Sequence, residues 1–231
     1  MLRQSLRPAR LRSLMAQPIS RPVARVGLMR PYSQTIEPGT ISAVIHQDHR
    51  QIESYYDKIV NSKDHDVQLR YQNAFVWELA RHGVAEELVV YPSIETGLND
   101  GQNMADKDRA EHQVTKEQLY KFQNLTPGDR DFIPTLESLM KDLRIHIKEE
   151  EEHDLVKLEE ALLPTRSRNL AEQFEMTKSF IPTRSHPGAP NQGPLETAAG
   201  LITAPIDKIR DMFRAWPDEP GPRPPSGGPA R

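Results

Sequence analysis

The 231-residue chain carries 33 acidic and 30 basic side chains, has a formal net charge of −3 and contains no cysteine. The lack of cysteine excludes disulfides, thiolate zinc sites and iron–sulfur ligation, which leaves histidine and carboxylate as the metal ligands. Apolar residues make up 36% of the chain and charged residues 27%, so only part of the chain is expected to build a core.

Residues 1–32 differ from the rest of the chain in charge. They contain seven arginines and neither lysine nor an acidic residue, which is the composition of a mitochondrial transit peptide. Arg30-Pro31-Tyr32-Ser33 resembles a matrix-protease cleavage site, and a cut after Tyr32 would start the mature chain at Ser33. The segment predicts a location in the mitochondrial matrix. The alternative is a disordered basic tail.

The remainder of the chain is acidic. Its 23 basic residues face 33 acidic ones, a net charge of about −10, which predicts that the protein does not bind nucleic acid. No apolar run approaches the roughly 18 residues that a membrane-spanning helix needs, so no transmembrane segment is predicted.

Helical periodicity runs through residues 38–163 and is divided by polar turns. The apolar-periodic segments cover 38–60, 66–91, 101–124 and 130–162. Pro92 and Pro164 are expected to end the second and fourth segments. Four long helices joined by short connections predict an all-α fold, an antiparallel up-down-up-down four-helix bundle over 38–163.

Residues 164–231 form a C-terminal tail of different composition. Residues 166–180 predict one more short helix, and the proline-rich end, 217–231, predicts disorder. Between them, spacings of three and four predict an amphipathic helix interrupted by Pro205. Its apolar residues are Leu195, Ala199, Ile202, Ile206, Ile209, Phe213 and Trp216. We expect this face to dock against the bundle, with a peripheral membrane or protein contact through residues 195–216 as the alternative.

The pattern His…His-x-x-x-Glu-Glu occurs twice, with the two copies offset by 63 to 64 residues. Its members are His49, His82, Glu86 and Glu87 in the first copy and His112, His146, Glu150 and Glu151 in the second. Imidazole and carboxylate four residues apart lie on one face of a helix. The doubled pattern therefore predicts a site for two metal ions.

Six of the eight repeated residues fall on the apolar stripes of their predicted helices. These six, which we predict as the metal ligands, are His49, His82, Glu86, His112, His146 and Glu150. Glu87 and Glu151 lie about 100° off the stripes and are expected to be solvated or to support the site from outside. Buried imidazoles and carboxylates need compensation, which a pair of cations supplies. Two sets of two histidines and one carboxylate favour non-haem iron, with zinc or manganese as alternatives.

These residues and their neighbours resemble the hemerythrin-like HHE cation-binding domain over roughly residues 40–162. The resemblance is carried by Gln-Asp-His49-Arg, His82-x-x-x-Glu86-Glu87-x-x-Val-Tyr-Pro92, Glu111-His112 and His146-x-x-x-Glu150-Glu151. It implies that the four histidines are terminal ligands and that Glu86 and Glu150 bridge two irons. It also implies an oxo- or hydroxo-bridged centre that binds dioxygen or related small ligands.

The chain departs from the oxygen-carrying hemerythrins on the third helix. Those proteins carry a fifth histidine one turn from its partner, where this chain has Asp108 and Lys116 on either side of His112. His46 and His153 are the candidates for a fifth nitrogen ligand. The departure disfavours reversible oxygen transport and favours sensing, redox chemistry or iron handling.

We predict a non-haem di-iron protein that binds O2, NO or iron for sensing or buffering. The alternative is a di-iron oxidase or a peroxide-consuming enzyme that uses the same centre. The sequence shows no nucleophile, substrate pocket or cofactor loop that favours catalysis, so no catalytic residue is predicted. A third possibility is an interaction protein whose tail matters more than its metal.

Overall fold

The computed structural model describes residues 36–189 and 203–218, and all the regular structure in these two ranges is helical. The helices are α1 (Ile41–Asn61), α2 (His65–Ala85), α3 (Tyr91–Gly97), α4 (Gly101–Gln123), α5 (Phe132–Glu149), α6 (Leu155–Ala161), α7 (Pro164–Lys178) and α8 (203–211). The π-helical turns Glu86–Val90 and Glu150–Asp154 join α2 to α3 and α5 to α6. The all-α prediction is therefore confirmed. The predicted transit peptide, residues 190–202 and residues 219–231 lie outside the described residues.

Pro92 and Pro164 differ in whether they mark the end of the predicted helical segment. The expected end of the second segment at Pro92 is wrong, because the chain continues through the π turn and Pro92 lies in the first turn of α3. Proline is tolerated there because the first N–H groups of a helix need no partner within the helix. The expected end near Pro164 is confirmed: α6 ends at Ala161, and Pro164 opens α7.

Side-chain caps fix where the first two helices begin. Thr40 Oγ1 accepts a hydrogen bond from the Ala43 N–H at 3.3 Å, and Asp64 Oδ1 accepts one from the Asp66 N–H at 2.8 Å. Such caps satisfy N–H groups that the first helical turn leaves without a partner. The Ser167 hydroxyl of α7 accepts from the Ile41 N–H at 3.0 Å, which joins α7 to the start of α1.

The long helices contact one another in a closed cycle, α1 with α2, α2 with α4, α4 with α5 and α5 with α1. Two apolar clusters fill their interior. One contains Ile52, Leu79, Leu119 and Leu143, and the other contains Ile45, Ala85, Ala105 and Leu155. Along the chain, each repeated histidine lies between a residue of the first cluster and a residue of the second, on one helix for His49, His82 and His112 and between α5 and α6 for His146. The histidines therefore form a polar layer between two apolar ones. In the part of the chain that is described, no helix is long and apolar enough to cross a membrane.

Polar contacts hold α8 against residues 182–189. The buried carboxylate of Asp211 accepts hydrogen bonds from Thr183 Oγ1 at 2.5 Å and from Arg184 Nη2 at 2.6 Å. His186 Nε2 lies 2.8 Å from Asp207 Oδ2. The Ser185 N–H donates to Gln123 Oε1 and its hydroxyl donates to the Lys116 carbonyl. We call residues 182–189 the strap, because these contacts hold them between α8 and the bundle.

The expected apolar docking face of the tail helix is wrong for most of the residues that can be compared. Ile206 and Ile209 are exposed, and Phe213 is 85% exposed. The reason is that the strap supplies polar partners for the acidic side of α8, so that side turns inward. Only Trp216 packs as expected: its ring lies 6.2 Å from that of Trp77 in an edge-on arrangement. Residues 195–202 of the predicted element lie outside the described ranges.

Trp216→Ala should therefore weaken tail docking, whereas Phe213→Ala should not. The first change removes the contact with Trp77 and the hydrogen bond from Trp216 Nε1 to the Asp211 carbonyl at 2.9 Å. We expect a loss of about 1–3 kcal/mol in the free energy of unfolding, and less than about 0.5 kcal/mol for the exposed control. Urea denaturation followed by circular dichroism measures both. Equal effects of the two substitutions would contradict this account of docking.

Candidate metal centre

The structure brings all six predicted ligands together in the polar layer. None of them is more than 4% exposed. The imidazoles meet in pairs: His49 Nε2 lies 3.1 Å from His82 Nε2, and His112 Nε2 lies 3.1 Å from His146 Nε2. Four inward-facing nitrogens from four helices thus meet in two pairs.

The two carboxylates lie between the imidazole pairs. Glu86 places Oε1 3.1 Å from His82 Nε2 and Oε2 3.4 Å from His112 Nε2, so its two oxygens face different pairs. Glu150 Oε2 lies 3.3 Å from His49 Nε2 and 4.0 Å from His146 Nε2. Two ligands bound to one cation at about 2 Å are separated by roughly 3–4 Å. These separations therefore suit cations placed between the groups.

The ligand atoms fall into two groups of different size. His49, His82, Glu86 and Glu150 form one group of four, and Glu86, His112 and His146 form one of three. Within each group, every ligand atom lies within 4.8 Å of the others. Glu86 belongs to both, which suits a carboxylate that bridges two cations.

The charges of the two carboxylates are not compensated by hydrogen bonds. Neither oxygen of Glu86 and neither oxygen of Glu150 makes a hydrogen bond. Burial and the neighbouring Glu150 raise the pKa of Glu86 well above its ordinary value. Burial alone would also raise the pKa of Glu150, but the imidazoles of His49, whose Nε2 lies 3.3 Å from Glu150 Oε2, and of His146 lower it. Buried oxygens without partners are rare in proteins, and a pair of cations fits them.

Each histidine also turns its outer nitrogen toward a carboxylate. The pairs are His49 Nδ1 with Glu151 Oε1 (2.8 Å), His82 Nδ1 with Asp48 Oδ2 (3.2 Å), His112 Nδ1 with Glu87 Oε1 (3.4 Å) and His146 Nδ1 with Glu111 Oε2 (2.9 Å). A carboxylate on Nδ1 fixes the orientation of the ring and leaves Nε2 to bind a metal. Burial also lowers the pKa of His112 to about 4, which keeps its imidazole neutral near pH 7.

Every one of these outer carboxylates is in turn paired with a cationic side chain. The cations are Arg50 on Glu151, Lys178 on Asp48, Lys116 on Glu87 and Lys107 on Glu111. At four places a cationic side chain thus contacts a carboxylate, and that carboxylate contacts a histidine whose other ring nitrogen faces the centre of the site.

The comparisons with known proteins agree with this geometry. Residues 40–158 match the family model of the hemerythrin HHE cation-binding domain. An uncharacterized hemerythrin-like protein of Schizosaccharomyces pombe is 53% identical over 178 residues, which are 77% of this chain and 88% of that protein. The chain belongs to the hemerythrin HHE cation-binding family.

A more distant relative and the solved structures add little to this assignment. A DNA nickase of Nostoc is 25% identical over 146 residues, which are 62% of this chain but only 40% of the nickase. No solved structure matches the chain.

The supporting carboxylates of this hemerythrin domain follow the sequence repeat. The acid that precedes the first histidine of each copy, Asp48 or Glu111, contacts the second histidine of the same copy. The trailing glutamate of each copy, Glu87 or Glu151, contacts the first histidine of the other copy. Asp48 and Glu111 were quoted only as part of the family motif and no role was predicted for them, although the doubled acid–histidine step was a signal for one.

Three further features were not predicted. Both π turns begin at a predicted bridging carboxylate, Glu86 or Glu150, and such turns are frequent at functional sites. The buried Tyr91 hydroxyl lies 2.9 Å from His112 Nε2. Asp108 is buried with an Oδ2 that lacks a hydrogen bond, and burial together with Asp154 raises its pKa to about 7.

The two candidates for a fifth nitrogen ligand lie away from the centre. His46 Nδ1 faces Glu151 Oε1 at 3.4 Å, and its ring centre is 6.5 Å from that of His49. His153 is exposed. Among the described residues, neither belongs to a group of possible ligands, whereas Asp108 forms such a group with Glu111 and His146.

Proposed function

We propose that this hemerythrin domain holds two non-haem iron ions on His49, His82, Glu86, His112, His146 and Glu150, and binds O2 or NO for sensing or buffering. The observation that carries the proposal is the set of four carboxylate oxygens on Glu86 and Glu150 that lack hydrogen bonds between four converging imidazoles. Histidine with carboxylate and no thiolate favours iron over softer metals. When bound, the irons would supply a centre for small ligands and electrons.

The residues of the chain prepare this centre before any cation arrives. The outer carboxylates hold the rings, and their cationic partners compensate the negative charge outside the ligand set. The apolar clusters on both sides exclude water. This arrangement favours retention of metal and slow exchange with solvent.

The location and the domain division are part of the proposal. We infer that residues 1–32 direct the chain to the mitochondrial matrix, that 38–163 form an up-down-up-down four-helix bundle and that 164–231 form a C-terminal tail that is partly helical and partly disordered. The support is the arginine-rich, acid-free composition of residues 1–32 and the closed cycle of helix contacts. Mass spectrometry of the protein isolated from mitochondria should find Ser33 as its first residue, and an intact residue 1 would contradict the transit peptide.

His82→Ala should remove metal, whereas His153→Ala should not. His82 is a member of the group of four, whereas His153 is exposed and lies outside both groups. After anaerobic loading of the full chain with Fe(II), we expect the variant at His82 to retain at most about half of the wild-type iron. The control should match wild type. Unchanged iron in both variants would contradict the assigned ligands.

The same loaded protein separates a binding protein from an enzyme. Reversible binding of O2 or NO without consumption of peroxide is the expected result. Sustained turnover of peroxide or O2 would instead support the oxidase.

A further inference from the structure

The outward side of α8 is apolar. Ile206, Ile209, Met212 and Phe213 follow one another at spacings of three and four, which places them on one face of the helix and of the turn that ends it. Each of these four residues is at least 48% exposed. We call them the α8 face. An exposed apolar patch with charged residues around it marks a site of interaction with a protein or a membrane.

The inward side of α8 explains the direction of this face. Asp207 and Asp211 are buried, Asp207 beside His186 Nε2 and Asp211 beside Arg184 Nη2. A helix held only by apolar packing turns its apolar side toward the core. Here buried polar pairs fix the helix with its acidic side inward, so the α8 face is held at the surface by the fold.

Cationic side chains flank the α8 face on both sides. At 100° per residue, Lys208 lies on one side of the face, and Arg210 and Arg214 lie on the other. Both arginines are exposed, and Lys208 is half-buried. The two acidic residues of α8 are buried on its opposite side, so they leave the flanks of the face with an excess of positive charge.

The cations in this region also crowd one another. Burial lowers the pKa of Arg214, and the charges of Arg184 and Arg210 lower it further. Burial and the charge of Arg81 lower the pKa of Lys208. These positive charges repel one another in the folded protein. An anion brought to this surface would relieve that repulsion.

The charge pattern selects the kind of partner. Residues 33–231 carry a net charge of about −10, so an anionic surface repels the body of the protein and favours the orientation in which the α8 face points toward it. A second copy of the chain does not fit, because cations lie on both sides of the face and two such faces would bring like charges together. A bilayer with anionic headgroups fits both parts, since its phosphates attract the flanking cations and its acyl chains surround the apolar side chains.

We propose that the α8 face, with Lys208, Arg210 and Arg214 around it, docks the protein on the surface of a membrane that contains anionic lipid. The helix lies parallel to the membrane plane, with the α8 face at the level of the acyl chains and the cations at the level of the headgroups. This inference goes beyond the proposed function, because it needs no metal on the histidine layer.

A dye attached at the α8 face tests the docking in the full-length chain. The chain has no cysteine, so Met212→Cys provides a single point for an environment-sensitive fluorophore. With vesicles of phosphatidylcholine and about 30% phosphatidylglycerol, we expect the emission to rise at least about twofold and to shift to the blue, because the dye enters the acyl region. Vesicles of phosphatidylcholine alone should give no change. The arginines of residues 1–32 also attract anionic lipid, but they would not carry this dye into the bilayer.

Leu163→Cys is the matched control for the label. Leu163 is also exposed and apolar, and it precedes α7. The 15 residues of α7, about 22 Å, separate it from Ser179, whose carbonyl accepts a hydrogen bond from Lys208 Nζ. The same dye at position 163 should therefore stay in water with both kinds of vesicle.

Arg210→Glu tests the charge of the flanks. In the chain labelled at position 212, this reversal should raise the vesicle concentration at half of the dye response at least about tenfold. Arg166→Glu makes the same change at an exposed position in the first turn of α7 and should shift this concentration less than about threefold. Circular dichroism of each variant checks that its helices are intact.

Four results would overturn the proposal. They are no response of the dye at position 212 to anionic vesicles, an equal response to neutral vesicles, an equal response at position 163, and equal effects of the two charge reversals. A dye response that depends on protein concentration without vesicles would assign the α8 face to a second copy of the chain and would equally overturn it.

Discussion

Glu86→Gln is expected to raise the stability of the metal-free protein and to abolish its stabilisation by iron. Glu86 is fully buried and neither of its oxygens makes a hydrogen bond. Removing a buried carboxylate that lacks compensation should gain on the order of 1–3 kcal/mol in the free energy of unfolding. The same carboxylate is the member shared by both ligand groups, so its loss should weaken metal binding by both groups.

Without metal, Glu86→Gln should therefore be more stable than wild type, and with iron bound it should be less stable. A ligand present at 100 times its dissociation constant stabilises the folded state by about 2.7 kcal/mol, and only the wild type should gain this. Glu149→Gln makes the same chemical change at a more exposed neighbouring position and should behave as wild type. Thermal unfolding with and without Fe(II) measures both. A variant that is less stable than wild type without metal would contradict the account of an uncompensated carboxylate.

The increase in the free energy of unfolding that Glu86→Gln brings to the metal-free protein should depend on pH. The pKa of Glu86 is raised in the folded state above its ordinary value of 4.5. Below pH 4.5 the carboxyl is protonated in both the folded and the unfolded state, so substitution changes little. As the pH rises above 4.5, the unfolded state ionises first and is favoured. The advantage of glutamine should therefore grow with pH, and a constant difference would argue against this cause.

Lys178→Met should be the most destabilising single change at the edge of the site. The side chain of Lys178 is only 4% exposed, and Nζ lies 2.5 Å from Asp48 Oδ2 and 2.7 Å from Glu78 Oε1. Methionine leaves two buried carboxylates without their ammonium group, at a cost of about 3–5 kcal/mol. Because Asp48 orients His82, iron affinity should also fall by roughly 10–100-fold. Denaturation of the metal-free protein and iron titration measure the two effects.

Lys107 provides a matched control for this change. It pairs with Glu111, which holds His146 as Asp48 holds His82, but its side chain is 46% exposed. Lys107→Met should therefore cost less than about 1 kcal/mol. Equal losses at the two lysines would show that burial of Lys178 is not the cause.

The acid dependence of stability gives a second check on Lys178. Burial would raise the pKa of Asp48, but the hydrogen bond with His82 and the charge of Lys178 lower it to about 2, from an ordinary value of 3.8. This difference contributes about 2 kcal/mol that is present above pH 4 and lost as the pH falls toward 2. In Lys178→Met this loss should become smaller, because the ammonium group that holds the carboxylate charged is absent.

The sequence was sufficient for the helical fold and for the residues that converge in the polar layer. Histidine at a position where leucine belongs is a strong local signal, and its repetition on four helices removes ambiguity. Glu87 was harder to place, because a one-residue offset turns a side chain away from the stripe. In the folded protein that direction leads to the outer nitrogen of His112 on the neighbouring helix.

Other features depend on contacts that no local pattern encodes. Lys178 contacts Asp48 although it lies 130 residues further along the chain, so no sequence pattern near the histidines predicts this contact. The π turns at Glu86 and Glu150 break the 3.6-residue period from which the stripes were predicted. The inward face of α8 was predicted from its apolar side, yet Asp211 turns inward because Arg184 provides a buried partner.

The central claim is that this polar layer holds two iron ions, and metal analysis tests it most directly. The full-length protein, loaded anaerobically with Fe(II), desalted and then oxidised, should contain about two irons per chain and show near-ultraviolet charge-transfer bands. Less than about half an iron per chain after the same loading would contradict the claim.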